Sequence, residues 1–153
     1  MNKVVLLDTS TLGMVSNPND TPANRECREW ALNLSQKGTC VCVPEISDYE
    51  TRRELIRCNK GQGLAELDYV LSLFRYEPLC TEAMRCAAQL WADAHLVFGR
   101  AVTENPKLDA DIILCGQAKV IERNEQIKVV VATDNVRHFV AFVAADEWQN
   151  IDP

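Results

Sequence analysis

Carboxylates recur in this sequence where apolar runs stop. Val4-Val5-Leu6-Leu7 ends abruptly at Asp8, and Val129-Val130-Val131-Ala132 ends at Thr133-Asp134-Asn135. Pro44 closes another run and is followed by Glu45, Asp48 and Glu50, while Asp109 and Asp111 precede Ile112-Ile113-Leu114-Cys115. Three or four such groups brought together repel one another and raise each other's pKa unless a cation holds them. Hard oxygen donors without imidazole or thiolate suit Mg²⁺ or Mn²⁺ rather than zinc. Such ions activate water and stabilise a phosphoryl transition state, which points to metal-assisted phosphodiester or phosphate chemistry.

Each acid also has an ordinary structural role open to it. Asp8 could cap a turn or the next helix. Asp109 is a natural N-cap, and Asp111 a first-turn acid favoured by the helix dipole. Glu50, Arg53, Glu54 and Arg57 could make a solvated helix face, and Asp134 before Asn135 could build a turn. What these separate roles leave unexplained is convergence, and that depends on the elements carrying the acids.

Val4–Leu7 reads as a strand buried on both faces, the kind found inside parallel sheets. Further strands are expected at 40–43, closed by Pro44, at 75–79, at 127–132 and at 147–151. Helical spacing runs over 23–34, 46–59, 64–74 and 83–98, onward from Ile112 through Val120, and briefly near 136–143. Asn17–Pro22 is a turn cluster and Gly61-Gln62-Gly63 a break. Strands alternating with helices predict an α/β fold, a three-layer α/β/α sandwich around a mainly parallel sheet of about five strands. Open parallel sheets bind ligands beyond the carboxyl ends of their strands, which is where the acids recur.

A length of 153 residues fits one domain spanning 1–153. Acids outnumber bases 22 to 16, for a net charge of -6. That excludes a protein that coats nucleic acid or anionic membrane with a basic face. It does not exclude one that meets RNA through a bound metal and a local basic strip. No apolar run approaches the ~20 residues needed to span a bilayer. The opening MNKVVLLDTSTLG is interrupted too soon by Asp8 for a secretory segment, so a cytoplasmic location is expected. Seven cysteines without a CxxC pair read as reduced, mostly buried small apolar residues. His95 is expected at the edge of the apolar face of the 83–98 helix, and His138 to cap or pack near Phe139 ahead of touching substrate.

Four segments together resemble the PIN-domain ribonucleases, most closely the small VapC-type toxins of bacterial toxin–antitoxin pairs. Val4-Val5-Leu6-Leu7-Asp8-Thr9-Ser10 is similar to the family's first strand and first metal-binding Asp. Val43-Pro44, with Glu50 six residues after the proline, matches the spacing of its Glu. Asp111-Ile112-Ile113-Leu114-Cys115-Gly116-Gln117-Ala118 is similar to its acid opening an apolar helix. Val129-Val130-Val131-Ala132-Thr133-Asp134-Asn135, running on to Phe139, resembles its closing segment. The pieces come in family order and cover nearly the whole chain.

The resemblance implies a PIN-like fold and hydrolysis of RNA with Mg²⁺ or Mn²⁺, leaving a 5′-phosphate and a 3′-hydroxyl. It implies Asp8, Glu50 and Asp111 as metal ligands, directly or through water, with Asp134 ranked after them. The family's fourth acidic position falls on Asn135, a poorer ligand, for which Asp134 could compensate from next door. Asp109 follows as an N-cap or supporting acid. Thr9, Ser10 or Thr133 hydroxyls could orient a carboxylate or a phosphate oxygen. On a helix through Glu50, Arg53, Arg57 and Lys60 fall within about 80° of it at ~100° per residue, placing positive charge beside the acids for a substrate phosphate. An antitoxin and a homodimer are implied as partners, and no membrane.

Two other classes compete. An aspartate-based phosphatase needs a second acid two residues after the first, and position 10 is Ser10. A catalytically weak or degenerate interaction module fits a metal site one ligand short at Asn135, whereas a receiver-type domain is disfavoured because Val43 leads to Pro44. A Cys–His hydrolase lacks a nucleophile partner.

Overall fold

The computed structural model describes residues 2–153. Strands β1 (Lys3–Leu7), β2 (Cys40–Pro44), β3 (Arg75–Glu77), β4 (Lys128–Ala132) and β5 (Ala144–Asp146) form one sheet in the order β3-β2-β1-β4-β5. All neighbouring strands are parallel, with Val5 opposite Val41 on one side and Val130 on the other. Between the strands lie α1 (Thr9–Ser16), α2 (Pro22–Gln36), α3 (Glu45–Arg57), α4 (Gly61–Leu73), α5 (Thr81–Phe98), α6 (Arg100–Thr103), α7 (Pro106–Glu125) and α8 (Val136–Phe139).

The apolar run of β1 is buried throughout because alternate residues feed two cores. Val5 and Leu7 pack with Leu12 and Val15 of α1, Ala31 and Leu34 of α2, and Leu67 and Val70 of α4. Val4 and Leu6 pack with Leu114, Cys115, Ala118 and Ile121 of α7, together with Phe139. Helices therefore cover both faces, as the sequence predicts for an α/β sandwich. A third cluster joins α5 to α7 through Ala87, Ala94, Leu108 and Ile112. The two helices approach so closely that a Cβ on Gly116 would lie 2.5 Å from the Ala83 carbonyl oxygen.

Several boundaries differ from the sequence expectation. A helix, α1, begins directly after Asp8, which the polar Asp8-Thr9-Ser10 did not announce. Gly61-Gln62-Gly63 forms the first turn of α4 rather than a break. A Cβ on Gly63 would lie 2.8 Å from a terminal methyl of Leu55, so the two pack closely there. The final strand lies at Ala144–Asp146, not 147–151. The residues beyond it turn onto α2, where Trp30 Nε1 donates to the Ile151 carbonyl at 2.8 Å and Trp148 lies against Trp30. Asp109 is not an N-cap: Asn105 caps α7, its side chain accepting from Lys107 N. Nor are the cysteines mostly buried: all seven are free, but Cys58 and Cys80 are exposed and Cys40 and Cys86 intermediate.

The chain runs outward from β1 to β2 and β3, then crosses back to lay β4 and β5 on the other side of β1. The strand order reverses beside β1, so the crevice at the carboxyl ends of β1 and β4 is the favoured ligand position of such sheets. No helix among the described residues is long and apolar enough to cross a membrane.

Candidate functional site

Asp8 stands at that crevice. Its backbone N–H donates to the Ala132 carbonyl at 3.2 Å, and the Thr11 hydroxyl donates to the same carbonyl at 2.8 Å, tying the ends of β1 and β4 together. The side chain, 6% exposed, caps α1. Oδ1 accepts from Thr11 N at 2.9 Å and from the Ser10 hydroxyl at 2.7 Å, and Oδ2 accepts from the Thr133 hydroxyl at 2.5 Å. The capping role is thus realised in a residue that also faces the other acids. Burial pushes the Asp8 carboxyl above its ordinary range, while the Thr133, Ser10 and Thr11 hydrogen bonds pull it back.

Glu50 arrives from the second turn of α3. Its Oε1 accepts from the Thr9 hydroxyl at 2.6 Å, and Oε2 lies 3.5 Å from Arg53 Nη2. Glu45 and Asp48, the other acids after Pro44, are committed elsewhere. Glu45 accepts from Leu79 N at 2.8 Å, and Asp48 is held by Arg52 at 3.0 Å and by the Tyr76 hydroxyl at 2.9 Å. Helical geometry separates Glu50 from that pair.

Asp111 comes from the second turn of α7, half-buried. Its Oδ2 lies 3.1 Å from His138 Nδ1. Burial pushes its carboxyl up to about 6; the hydrogen bond and charge of His138 pull it down, and the negative charges of Glu50 and Asp8 push it up. Asp111, on α7, thus feels the charges of acids carried by two other elements. Among the described residues, however, no three His, Cys, Asp or Glu side chains are grouped to hold one metal ion.

The fourth acid stands apart. Asp134 is exposed; its backbone N–H donates to the Ser10 hydroxyl at 3.3 Å, but its carboxylate makes no hydrogen bond among the described residues. Asn135 donates from its backbone to the Thr133 hydroxyl at 2.9 Å, and its side chain makes no cap to α8. Thr133 and Ser10 therefore link this turn to Asp8 through its backbone.

A cleft of about 810 Å³ opens beside Glu50, lined also by Thr9, Ser10, Arg53, Asn59 and Lys60, while Asp8, Asp111 and Asp134 are not part of its lining. Arg53 also lies over the Tyr49 ring, 5.1 Å from its centroid. Arg57 does not line the cleft: it is exposed and paired with Glu54. Helical spacing alone grouped it with Arg53; its bond to Glu54, three residues earlier, draws it off.

This fold is a known one. The structure matches VapBC2 from Rickettsia felis, crystallised bound to a DNA fragment from their promoter, with a TM-score of 0.69, 16% identity, and coverage of 95% of this chain and 98% of that one. It matches DNA-bound VapBC from Salmonella typhimurium with a TM-score of 0.62, 21% identity, and coverage of 97% and 99%. The chain has the fold of the VapC-type PIN domains. No protein-family model and no curated protein matches the sequence.

Within this fold one contact differs from the sequence reading. For His138 that reading ranks capping or packing near Phe139 above a substrate contact; instead its ring is half exposed and reaches Asp111. The signal is faint in sequence, because Asp111 and His138 lie 27 residues apart and only the closeness of α7 and α8 joins them. His95 packs as expected, stacked on Trp91 with Nδ1 2.7 Å from the Thr103 hydroxyl.

Proposed function

We propose that this chain is a metal-dependent endoribonuclease using Mg²⁺ or Mn²⁺, acting as a single PIN-like domain and as the toxin of a toxin–antitoxin pair. The observation that carries this reading is the placement of Asp8, Glu50 and Asp111 by β1, α3 and α7, where burial first, and then the charges of Glu50 and Asp8, push the Asp111 carboxyl up to about 6. Carboxylates that disfavour one another's charge are relieved by a cation.

The donor set suits a hard divalent ion. The side chains brought to this edge by β1, α3 and α7 are carboxylates, hard oxygen donors, and Cys27 and Cys115 lie in the cores. Asp111 Oδ1 takes no hydrogen bond among the described residues, and Glu50 Oε2 meets only Arg53 at 3.5 Å. Mg²⁺ keeps several waters and takes one or two carboxylates, so it does not require three acids grouped for direct ligation. When bound, such an ion supplies an activated water and neutralises charge on the phosphoryl group.

The chain's own groups would do the rest. Asp8, Glu50 and Asp111 hold the ion directly or through water, with Asp134 at the rim. Thr133 and Ser10 fix Asp8, and Thr9 fixes Glu50. Arg53 and Lys60 meet substrate phosphates along the cleft, and Asn135 flanks the substrate. For protein partners, an antitoxin or a second copy, the end of α5 offers exposed Leu96, Val97 and Phe98. VapBC assemblies of the same fold support the antitoxin.

A second reading, a non-catalytic PIN-like interaction module, is favoured by the lack of a three-residue metal group among the described residues and by the amide at Asn135. RNA cleavage separates the two. We expect single-stranded or structured RNA to be cut with Mg²⁺ or Mn²⁺ and left intact with EDTA or by Asp8→Asn. Cleavage surviving both treatments in a clean preparation would refute a metal nuclease, and no cleavage by the untreated protein would favour the module.

A further inference from the structure

Each of the three acids is oriented by a donor that is not itself an acid. Thr133 holds Asp8 at 2.5 Å, and Thr9 holds Glu50 at 2.6 Å. Asp111 has one such partner among the described residues, His138, whose Nδ1 lies 3.1 Å from Oδ2. We infer that His138 is the positioning residue of Asp111: it fixes the carboxylate by donating from Nδ1 and leaves Oδ1 facing the shared ion.

The local fold supports that role. Four-residue α8 starts directly after Asn135, two residues from the Thr133 that holds Asp8, and His138 N–H donates to the Asn135 carbonyl at 2.9 Å. Phe139, 1% exposed, anchors the same turn in the core beside α7. The imidazole is 48% exposed and the Asp111 side chain 23%, so the pair lies at the mouth of the site rather than inside the packing. An ionised carboxylate can only accept, so Nδ1 must carry the proton. That holds in the neutral δ-tautomer and in the imidazolium alike, and the contact does not depend on which is present. A donor behind a ligating carboxylate fixes its orientation, and its removal typically costs 10–100-fold in metal affinity or activity.

The inference rests on the metal-site reading, and two measurements keep the two apart. At about pH 8, where an ordinary imidazole is neutral, side-chain nitrogen NMR of the metal-free protein should show His138 protonated at Nδ1. Protonation at Nε2 would overturn the inference whether or not metal binds. In Mn²⁺ calorimetry, His138→Ala should weaken binding about tenfold or more with the fold retained. Asn carries its amide nitrogen where Nδ1 lies, so His138→Asn should recover binding to within about threefold, whereas His138→Gln, whose donor reaches the Nε2 position, should not. Wild-type affinity in His138→Ala, or tighter binding there, would show that the ring does not position Asp111. If the wild-type protein binds no Mn²⁺, the metal reading falls, while the tautomer still decides whether the pair exists.

Discussion

Asp8 and Asp111 stand at the same edge of the sheet on different kinds of support. Asp8 leaves the end of β1 with both oxygens engaged, by Thr133, Ser10 and the backbone of Thr11, at the junction where β1 is bonded to the end of β4. Asp111 rides on the side of α7, with His138 as its one hydrogen-bond partner among the described residues. Both carboxyls are raised by burial, but only Asp8 has several donors to offset it. The first acid therefore belongs to the scaffold as well as to the site, while the second is held against its own electrostatic preference. In the proposed metal site, that would make Asp111 a group kept for a ligand rather than for the fold.

The largest expected effect follows from the scaffold side. Asp8→Ala leaves the Thr133 and Ser10 hydroxyls and Thr11 N without their acceptor, and removes the α1 cap. It should destabilise the protein by on the order of 2–4 kcal/mol in denaturant unfolding. A loss near zero would show that Asp8 is not part of the β1–β4 join.

A smaller effect of opposite sign is expected at Asp111. Burial pushes its folded carboxyl up to about 6, above the ordinary range of an aspartate, so folding favours the protonated form. Its contribution to stability is fully present below the unfolded value, near pH 4, and is lost as pH rises through about 6. Asp111→Asn should flatten that part of the stability–pH curve. In metal-free protein near pH 7 it should stabilise the fold by on the order of 1 kcal/mol, since no charge is then buried. Destabilisation comparable to that of Asp8→Ala would erase the contrast between the two acids.

Much of this arrangement was legible in the sequence, and the reasons are local. Val4–Leu7 and Val129–Ala132 are uninterrupted apolar runs, so their carboxyl ends, with Asp8 and Thr133, could be located by inspection. The apolar run after Asp111 likewise marked α7. What escaped was set by contacts between distant segments. Gly61 and Gly63 read as a break because glycine disfavours helix, yet Gly63 allows α4 to approach Leu55. The last strand was expected too late, at 147–151, where Trp148 instead packs against Trp30. Arg57 shares a helical face with Arg53 but turns to Glu54. His138 gains a role only when α8 meets α7, which no spacing within either segment reveals.

The central claim is that Asp8, Glu50 and Asp111 form one cation site. Its most direct test is Mn²⁺ calorimetry on the wild-type protein beside Glu50→Gln and Asp111→Asn. Saturable binding by the wild type, with most of the affinity lost in each folded variant, is the predicted result. A folded wild-type protein that takes up no Mn²⁺ at millimolar concentration, or variants that bind it equally well, would contradict the account.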